Sequence, residues 1–204
     1  DTRMQKIKQV IVWLSRINHC RGFGIQSPWA YRFVRYVVNE HYPYHGYEAV
    51  EQQQSAVHWL QRKLGRFYLR LANSVQPANT LLFGIDDKLV ESYISEGCHD
   101  TTLTRIPTDI SVEDSMHLLK RFDTVDLLLL KPNGAYRSFY NEVCMKARQG
   151  TVFVIEDIKK NKETRQFWRE IVRLQENIVT FDLYYCGIVY FDAKRYKQHY
   201  IVNF

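Results

Sequence analysis

The chain has 204 residues, of which 46% are hydrophobic and 14% aromatic, and its formal net charge is +6. This length is enough for one well-buried domain with a small appendage, and the composition excludes a disordered or low-complexity chain. No apolar run approaches the ~20 residues of a membrane span, and the four scattered cysteines form no CxxC pair. We therefore expect a reduced, cytoplasmic protein with no place in a membrane.

The first third of the chain is predicted to be helical. Apolar residues recur at helical spacing in two stretches, and Ser27 followed by Pro28 is typical of a helix start. The predicted helices cover residues 3–18, 28–41 and 48–74, the last one on the stripe Val57, Leu60, Leu64, Phe67 and Leu71. Because isolated amphipathic helices are marginal in water, we expect an extension, residues 1–76, that packs on the body or forms a homodimer.

From Pro77 onward short apolar strands alternate with helices, which is typical of a parallel sheet covered on both faces. The predicted strands cover 80–85, 101–106, 125–130 and 151–155, and the helices cover 87–96, 111–121, 136–148 and 162–176. The strands 178–185 and 187–191 predict a terminal antiparallel hairpin, and 199–204 is strand-like. The predicted fold is therefore α/β, with a body over residues 77–204.

Four segments resemble the class I S-adenosylmethionine (AdoMet)-dependent methyltransferases, and within them a group of O-methyltransferase-like proteins of Bacteroidetes. They are RGFGIQSPWAYRFV at 21–34, VDLLLLKPNG at 125–134, TVFVIEDI at 151–158 and FDLYYCGIVYF at 181–191. The resemblance covers nearly the whole chain. It implies a Rossmann-like sheet with the hairpin at its end, but activity does not follow from fold.

The glycine motif of the resembled family is incomplete here. The family has acidic-x-Gly-x-x-x-Gly on the first strand and its turn, and the matching positions hold Leu82, Gly84 and Lys88. Gly84 either contacts a ligand or only lets strand and helix pack closely. Asp86 and Asp87 are expected to cap the next helix, and there they would repel the carboxylate of AdoMet.

The resemblance also implies an acidic residue at the end of a later strand, where this chain has Lys131. Glu156 and Asp157 match the family's acidic pair, but two carboxylates are too few for a firm metal site, and we predict none. We expect Lys131 to form an ion pair with Glu156 or Asp157. The predicted cofactor-pocket residues are thus Gly84, Asp86, Lys131, Glu156 and Asp157.

The spacing between the first strand and the strand at 125–130 predicts a shortened sheet. The full fold has three helices and two strands there, which need roughly 67 residues, whereas Ile85 and Val125 are separated by 39. Two helices and one strand need about 39. One βα unit is therefore predicted to be missing.

Three functions remain open from the sequence. The first is a degenerate relative without a cofactor, serving a binding or structural role. The second is an active methyltransferase that uses AdoMet in a divergent pocket and acts on a small molecule. The third is binding of nucleic acid or an acidic partner, because residues 1–74 hold 11 Lys and Arg against 4 Asp and Glu. No RNA-binding motif supports the third.

Overall fold

The computed structural model describes residues 2–20, 22–52, 57–174, 176 and 178–204. Its helices are α1 Thr2–Ser15, α2 Pro28–Phe33, α3 His45–Glu51, α4 Trp59–Val75, α5 Lys88–Gly97, α6 Val112–Leu119, α7 Tyr136–Cys144 and α8 Lys162–Leu174. Its strands are β1 Asn79–Phe83, β2 Thr102–Ile106, β3 Leu127–Leu130, β4 Val152–Glu156, β5 Ile178–Asp182, β6 Cys186–Phe191 and β7 Gln198–Ile201. None of the helices described is long and apolar enough to cross a membrane.

The seven strands form one mixed sheet in the order β2-β1-β3-β4-β6-β5-β7. The pairs β1–β2, β1–β3 and β3–β4 are parallel, and β6 lies antiparallel to both β4 and β5, which confirms the predicted hairpin. The last strand, β7, pairs parallel with β5 at the far edge. The sheet is thus the α/β sheet predicted from the sequence, with the hairpin inserted between β4 and β7.

Alternate residues of the central strands belong to two hydrophobic clusters. Leu82 and Leu129 are in one cluster with residues of α2 and α4, while Leu81 and Leu128 are in the other with residues of α7 and α8. Since neighbouring strand residues point to opposite faces, the sheet is buried on both. That explains why the central strands β1, β3 and β4 consist mainly of apolar residues.

The sheet is short on one side, as the spacing predicted. The segment 86–124 is described throughout, and it contains the two helices α5 and α6 and the single strand β2. Strand β2 pairs with β1 and is the first strand in the sheet order, so it forms one edge of the sheet. The absent unit is therefore the one that would extend the sheet beyond β2.

The N-terminal helices differ in part from their predicted bounds. Ser27 does cap α2, since its hydroxyl accepts a hydrogen bond from the Ala30 backbone nitrogen at 3.4 Å. However, α2 passes into a π-helical turn, Val34–Val38, and stops there rather than at residue 41. The prediction of one helix over 48–74 was wrong: α3 and α4 are separate, and residues 53–56 lie outside the described residues. The physical reason is that α3 packs its own apolar residues, Tyr47 and Val50, against α5.

Polar contacts tie the segment after α1 to the end of the chain. Arg16 is buried and donates to the Asp182 carboxylate at 2.6 Å and to the Val202 carbonyl oxygen at 3.1 Å. The Asn203 backbone nitrogen donates to the His19 carbonyl oxygen at 3.0 Å. The first helix is therefore held by residues of β5 and of the segment that follows β7.

Candidate functional site

A pocket of about 410 Å³ opens at the carboxyl ends of β1, β3 and β4. On one side of β1 the chain continues into β2, and on the other side lies β3, so the strand order reverses at this point. Open α/β sheets bind their ligands in the crevice at such a reversal. The pocket is lined by Gly84, Asp86, Asp87, Lys131, Glu156 and Asp157, together with residues of α4. The five residues predicted for the cofactor pocket are thus brought together.

Gly84 has a conformational role that requires no ligand. Its φ is +67°, in the left-handed region that favours glycine. A Cβ atom at this position would lie 2.9 Å from the Lys131 carbonyl oxygen and 3.0 Å from the Thr108 methyl carbon. A side chain is therefore excluded by the close approach of the segments after β1, β2 and β3.

The two carboxylates of the first turn have different partners. Asp87 caps α5, because its Oδ1 accepts a hydrogen bond from the Leu89 backbone nitrogen at 2.9 Å, and its Oδ2 accepts one from Gln61 at 2.5 Å. Asp86 is not a cap: its exposed side chain forms an ion pair with Arg105 at 3.0 Å. The expected cap is therefore confirmed for Asp87 and wrong for Asp86, whose carboxylate is turned toward β2.

The expected ion pair between Lys131 and the acidic pair is not formed. Lys131 is exposed and makes no ion pair with any residue that the structure describes. The Glu156 carboxylate instead accepts a hydrogen bond from the Tyr68 hydroxyl at 2.5 Å, and Asp157 pairs with Lys160 at 3.3 Å. The physical reason is that α4 brings the buried Tyr68 to the end of β4.

Burial dominates the electrostatics at Glu156. It raises the pKa of this carboxyl, although the hydrogen bond from Tyr68 and the charge of Lys131 act in the opposite direction. The pKa of Tyr68 lies well above its usual range because of burial and, next, the charge of Glu156. Both effects favour the neutral form of Tyr68, which is the form that donates a hydrogen bond to Glu156.

Asp157 has φ of +56°, which is uncommon for a residue with a side chain. Its backbone nitrogen donates to the Tyr185 carbonyl oxygen at 2.8 Å, and this contact fixes the turn against the loop between β5 and β6. The turn directs the Asp157 carboxylate toward Lys160. In the part of the chain that the structure describes, no three His, Cys, Asp or Glu side chains are grouped as metal ligands.

Sequence reasoning missed the contribution of α4 to this pocket. Tyr68 and Gln61 reach Glu156 and Asp87 across 88 and 26 residues of chain. The one signal was Tyr68 next to Phe67 on the apolar face, since a buried tyrosine hydroxyl needs a partner. Nothing in the sequence indicates which partner it is.

No family model matches this chain, and no curated protein matches it. Solved structures do match. A putative O-methyltransferase from Klebsiella pneumoniae is 11% identical, with a TM-score of 0.53, and the match covers 74% of this chain and 92% of that one. The O-methyltransferase TomG from Streptomyces achromogenes, in complex with SAM, is 10% identical, with a TM-score of 0.51, covering 78% and 94%. By its sheet, its terminal hairpin and these neighbours, the chain has the fold of the class I AdoMet-dependent methyltransferases.

Proposed function

We propose that this chain is a degenerate methyltransferase-like protein that does not bind AdoMet and serves a non-catalytic binding or structural role. One observation carries the proposal: the acidic groups around the pocket are already bonded to the chain's own side chains. Glu156 is taken by Tyr68, Asp87 by Gln61 and Asp86 by Arg105. A cofactor group that used these carboxylates would have to compete with these partners, whose hydrogen bonds cost free energy to break.

The first turn adds a second obstacle to AdoMet. The cofactor's carboxylate needs backbone N–H groups that it can approach closely, and such an approach is easiest where residues lack side chains. Here Asp87 caps the helix that begins at Lys88, so its carboxylate already accepts the hydrogen bond from the Leu89 backbone N–H. The negative charge of Asp87 would also repel the carboxylate of AdoMet at this helix end.

Calorimetric titration of the protein with AdoMet and with S-adenosylhomocysteine tests the proposal. We expect no heat of binding at ligand concentrations up to about 1 mM, so that any dissociation constant lies above the millimolar range. A methyltransferase of the same fold that is known to bind AdoMet serves as the control. A dissociation constant in the low micromolar range would overturn the proposal.

The second candidate is an active methyltransferase with a divergent pocket. The observation in its favour is the pocket itself, because about 410 Å³ at the strand-order reversal is within the usual range for ligand sites. In that case AdoMet is the cofactor, and Gly84 and Glu156 would contact it. The same titration separates the two candidates.

We also propose a cytoplasmic location. The four cysteines all lie in the described part of the chain, and none of them is in a disulfide. Reduced thiols fit a reducing compartment. Fractionation of the native cells, followed by detection of the protein, checks this expectation.

A further inference from the structure

A second cleft, of about 460 Å³, lies on the opposite face of α4 from the pocket at the strand ends. An α-helix has 3.6 residues per turn, so the residues of α4 that line the pocket lie on one face and those that line the cleft lie on the opposite face. Leu64 and Tyr68 face the pocket, whereas the cleft is lined by the basic residues of α4, by the loop that follows the π-helical turn and by Phe204. The basic residues are Arg62, Lys63, Arg66 and Arg70.

Two of these four cations share a carboxylate. Arg66 forms a two-pronged pair with Glu51, with contacts of 2.6 and 2.9 Å, and Arg62 lies 3.5 Å from the same carboxylate. Tyr93 also donates to Glu51. These two cations are therefore only partly compensated, because one carboxylate serves both.

The other two cations have no carboxylate partner among the described residues. Arg70 is 7% exposed and donates to neutral oxygens alone: the carbonyls of Val37 and Val38 and the hydroxyl of Tyr47. The half-buried Lys63 stands over the ring of Phe204 at 4.6 Å. Buried cations are normally paired with a carboxylate. Because these two are not paired with one among the described residues, this part of the cleft carries an uncompensated positive charge.

Lys63 and Arg70 also repel each other. The pKa of the Lys63 ammonium group is lowered by burial and, next, by the charge of Arg70. An anion bound between Lys63 and Arg70 would offset this repulsion. The cleft thus has a physical reason to take up a negative group.

Two carboxylates, Glu40 and Glu48, also line the cleft and restrict what that anion is. Glu40 accepts from the backbone nitrogens of His41 and Tyr42 at 2.7 and 3.0 Å, and Glu48 is exposed. Because Arg70 is buried while Glu48 is exposed, the cleft favours a compact anion that reaches Arg70 over an extended polyanion that would also lie against the carboxylates.

The remaining walls are aromatic. Tyr42, Tyr44, Tyr47, Trp59 and Phe204 line the cleft, and Tyr42 has 76% of its surface exposed. Aromatic faces pack well against flat rings. The volume falls in the range of small-molecule sites.

We propose that this cleft binds a small molecule that carries one phosphate or carboxylate group on a flat aromatic body. The anion lies between Lys63 and Arg70, and the ring lies against Trp59, Phe204 and the tyrosines. The site is separate from the pocket at the strand ends. It therefore does not depend on whether AdoMet binds.

Calorimetry with phenyl phosphate, benzoate, phenol and inorganic phosphate tests each part of the ligand. We expect phenyl phosphate or benzoate to bind, and phenol to bind about tenfold more weakly or less, because it lacks the charge-assisted hydrogen bonds. The two anionic probes distinguish a phosphate from a carboxylate. Addition of AdoMet is expected to leave the affinity unchanged.

Lys63→Gln is the decisive variant, because Arg70 is buried and bonded to the π-helical turn, so its loss would disturb the structure as well as the site. We expect Lys63→Gln to weaken binding of the better anionic probe about tenfold. Lys120→Gln, at an exposed residue directly after α6, is the matched control and should bind as the wild type does. Thermal unfolding of both variants verifies that they are folded.

The proposal would be overturned if neither phenyl phosphate nor benzoate bound, or if phenol bound as tightly as the better anionic probe. Wild-type binding of that probe by folded Lys63→Gln would also overturn it. Tighter binding of a short single-stranded oligonucleotide than of phenyl phosphate would also overturn it, in favour of a nucleic-acid site.

Discussion

Asp182 joins distant parts of the chain through one buried carboxylate. Arg16, which follows α1, lies 2.6 Å from it, and Lys159, which follows β4, lies 2.7 Å from it. Burial by itself raises the pKa of Asp182, but the two cations outweigh burial and hold the pKa below its usual value. This carboxylate therefore contributes to stability only in its charged form.

We expect Asp182→Asn to lower the free energy of unfolding at neutral pH by about 3 kcal/mol, because it leaves the buried Arg16 without its counter-charge. Because the pKa of Asp182 is depressed on folding, its contribution is complete above about pH 4 and is lost as the pH falls through the lower folded pKa. The difference from wild type should therefore shrink in acid. Urea unfolding at a series of pH values measures both effects, and the exposed Asp123→Asn is the control.

Tyr68→Phe tests the hydrogen bond that occupies Glu156. We expect a loss of about 1–2 kcal/mol in the free energy of unfolding, and a further rise of the Glu156 pKa, because the donor that lowers it is gone. Denaturant titration and carboxyl NMR measure the two quantities. Tyr136→Phe is the matched control, since Tyr136 donates to the exposed Glu163 at 2.7 Å. Equal losses in both variants would contradict the assigned importance of the buried pair.

Helix α4 contributes side chains to both cavities and to the hydrophobic core. One face contributes Tyr68 and Gln61 to the pocket at the strand ends, and the other provides the basic residues of the cleft. Between them, Leu64 and Phe67 join the cluster that covers one face of the sheet. A shift in the position of α4 therefore changes the shape of both cavities.

Leu64→Ala should lower the free energy of unfolding by about 2–5 kcal/mol, the usual cost of emptying a buried leucine site. Leu64 is 8% exposed, whereas Leu60, one turn earlier, is only half-buried. Leu60→Ala therefore makes the same chemical change at lower cost. Equal losses would mean that α4 does not pack on the sheet through Leu64.

Helix α1 faces the body with Val12, as does Arg16 directly after it, and the helix exposes a row of large apolar residues on its other side. The exposed residues are Ile7, Val10, Ile11, Leu14 and, beyond the helix end, Ile17. Such patches mark interfaces, and a stripe along a single helix can meet its own copy across a two-fold axis. The homodimer expected from the sequence remains a prediction, and this is the face that we assign to it.

Light scattering tests the homodimer. The wild type should have twice the 24.4 kDa mass of one chain, and Ile11→Asp should have the single mass. Met145→Asp, which also adds a charge at an exposed apolar residue, should remain dimeric. A monomeric wild type would refute the dimer.

The sequence predicted the elements well where the pattern was local. Neighbouring residues alone were enough to predict the strands that are buried on both faces and the helix cap at Ser27. The partners of Glu156 and Asp86, which leave Lys131 without the expected ion pair, were not predictable, because they depend on where α4 and β2 pass the strand ends. Side-chain pairing over 88 residues, as for Tyr68 and Glu156, follows from the tertiary arrangement alone.

At the scale of the whole molecule, the absent βα unit leaves β2 as an edge strand. Its residues Thr102, Thr104 and Arg105 are polar, and Arg105 pairs with Asp86 and Glu91. Charged and polar side chains on an edge oppose pairing with another chain. The wall of the pocket next to β1 is provided by Asp86, Asp87 and Val90, in the turn after β1 and in α5.

The contacts of Val202 and Asn203 also bear on the order in which the fold assembles. Arg16 and His19 bond to Val202 and Asn203, and Asn39 donates to the Asn203 carbonyl oxygen at 3.0 Å. The bonds from Arg16 to Val202 and from Asn39 to Asn203 span 186 and 164 positions of the sequence, and contacts of such large separation form slowly because the intervening chain must first be ordered. Until they form, the apolar faces of α1 and α4 lack part of their cover, and exposed faces of this kind are prone to aggregate.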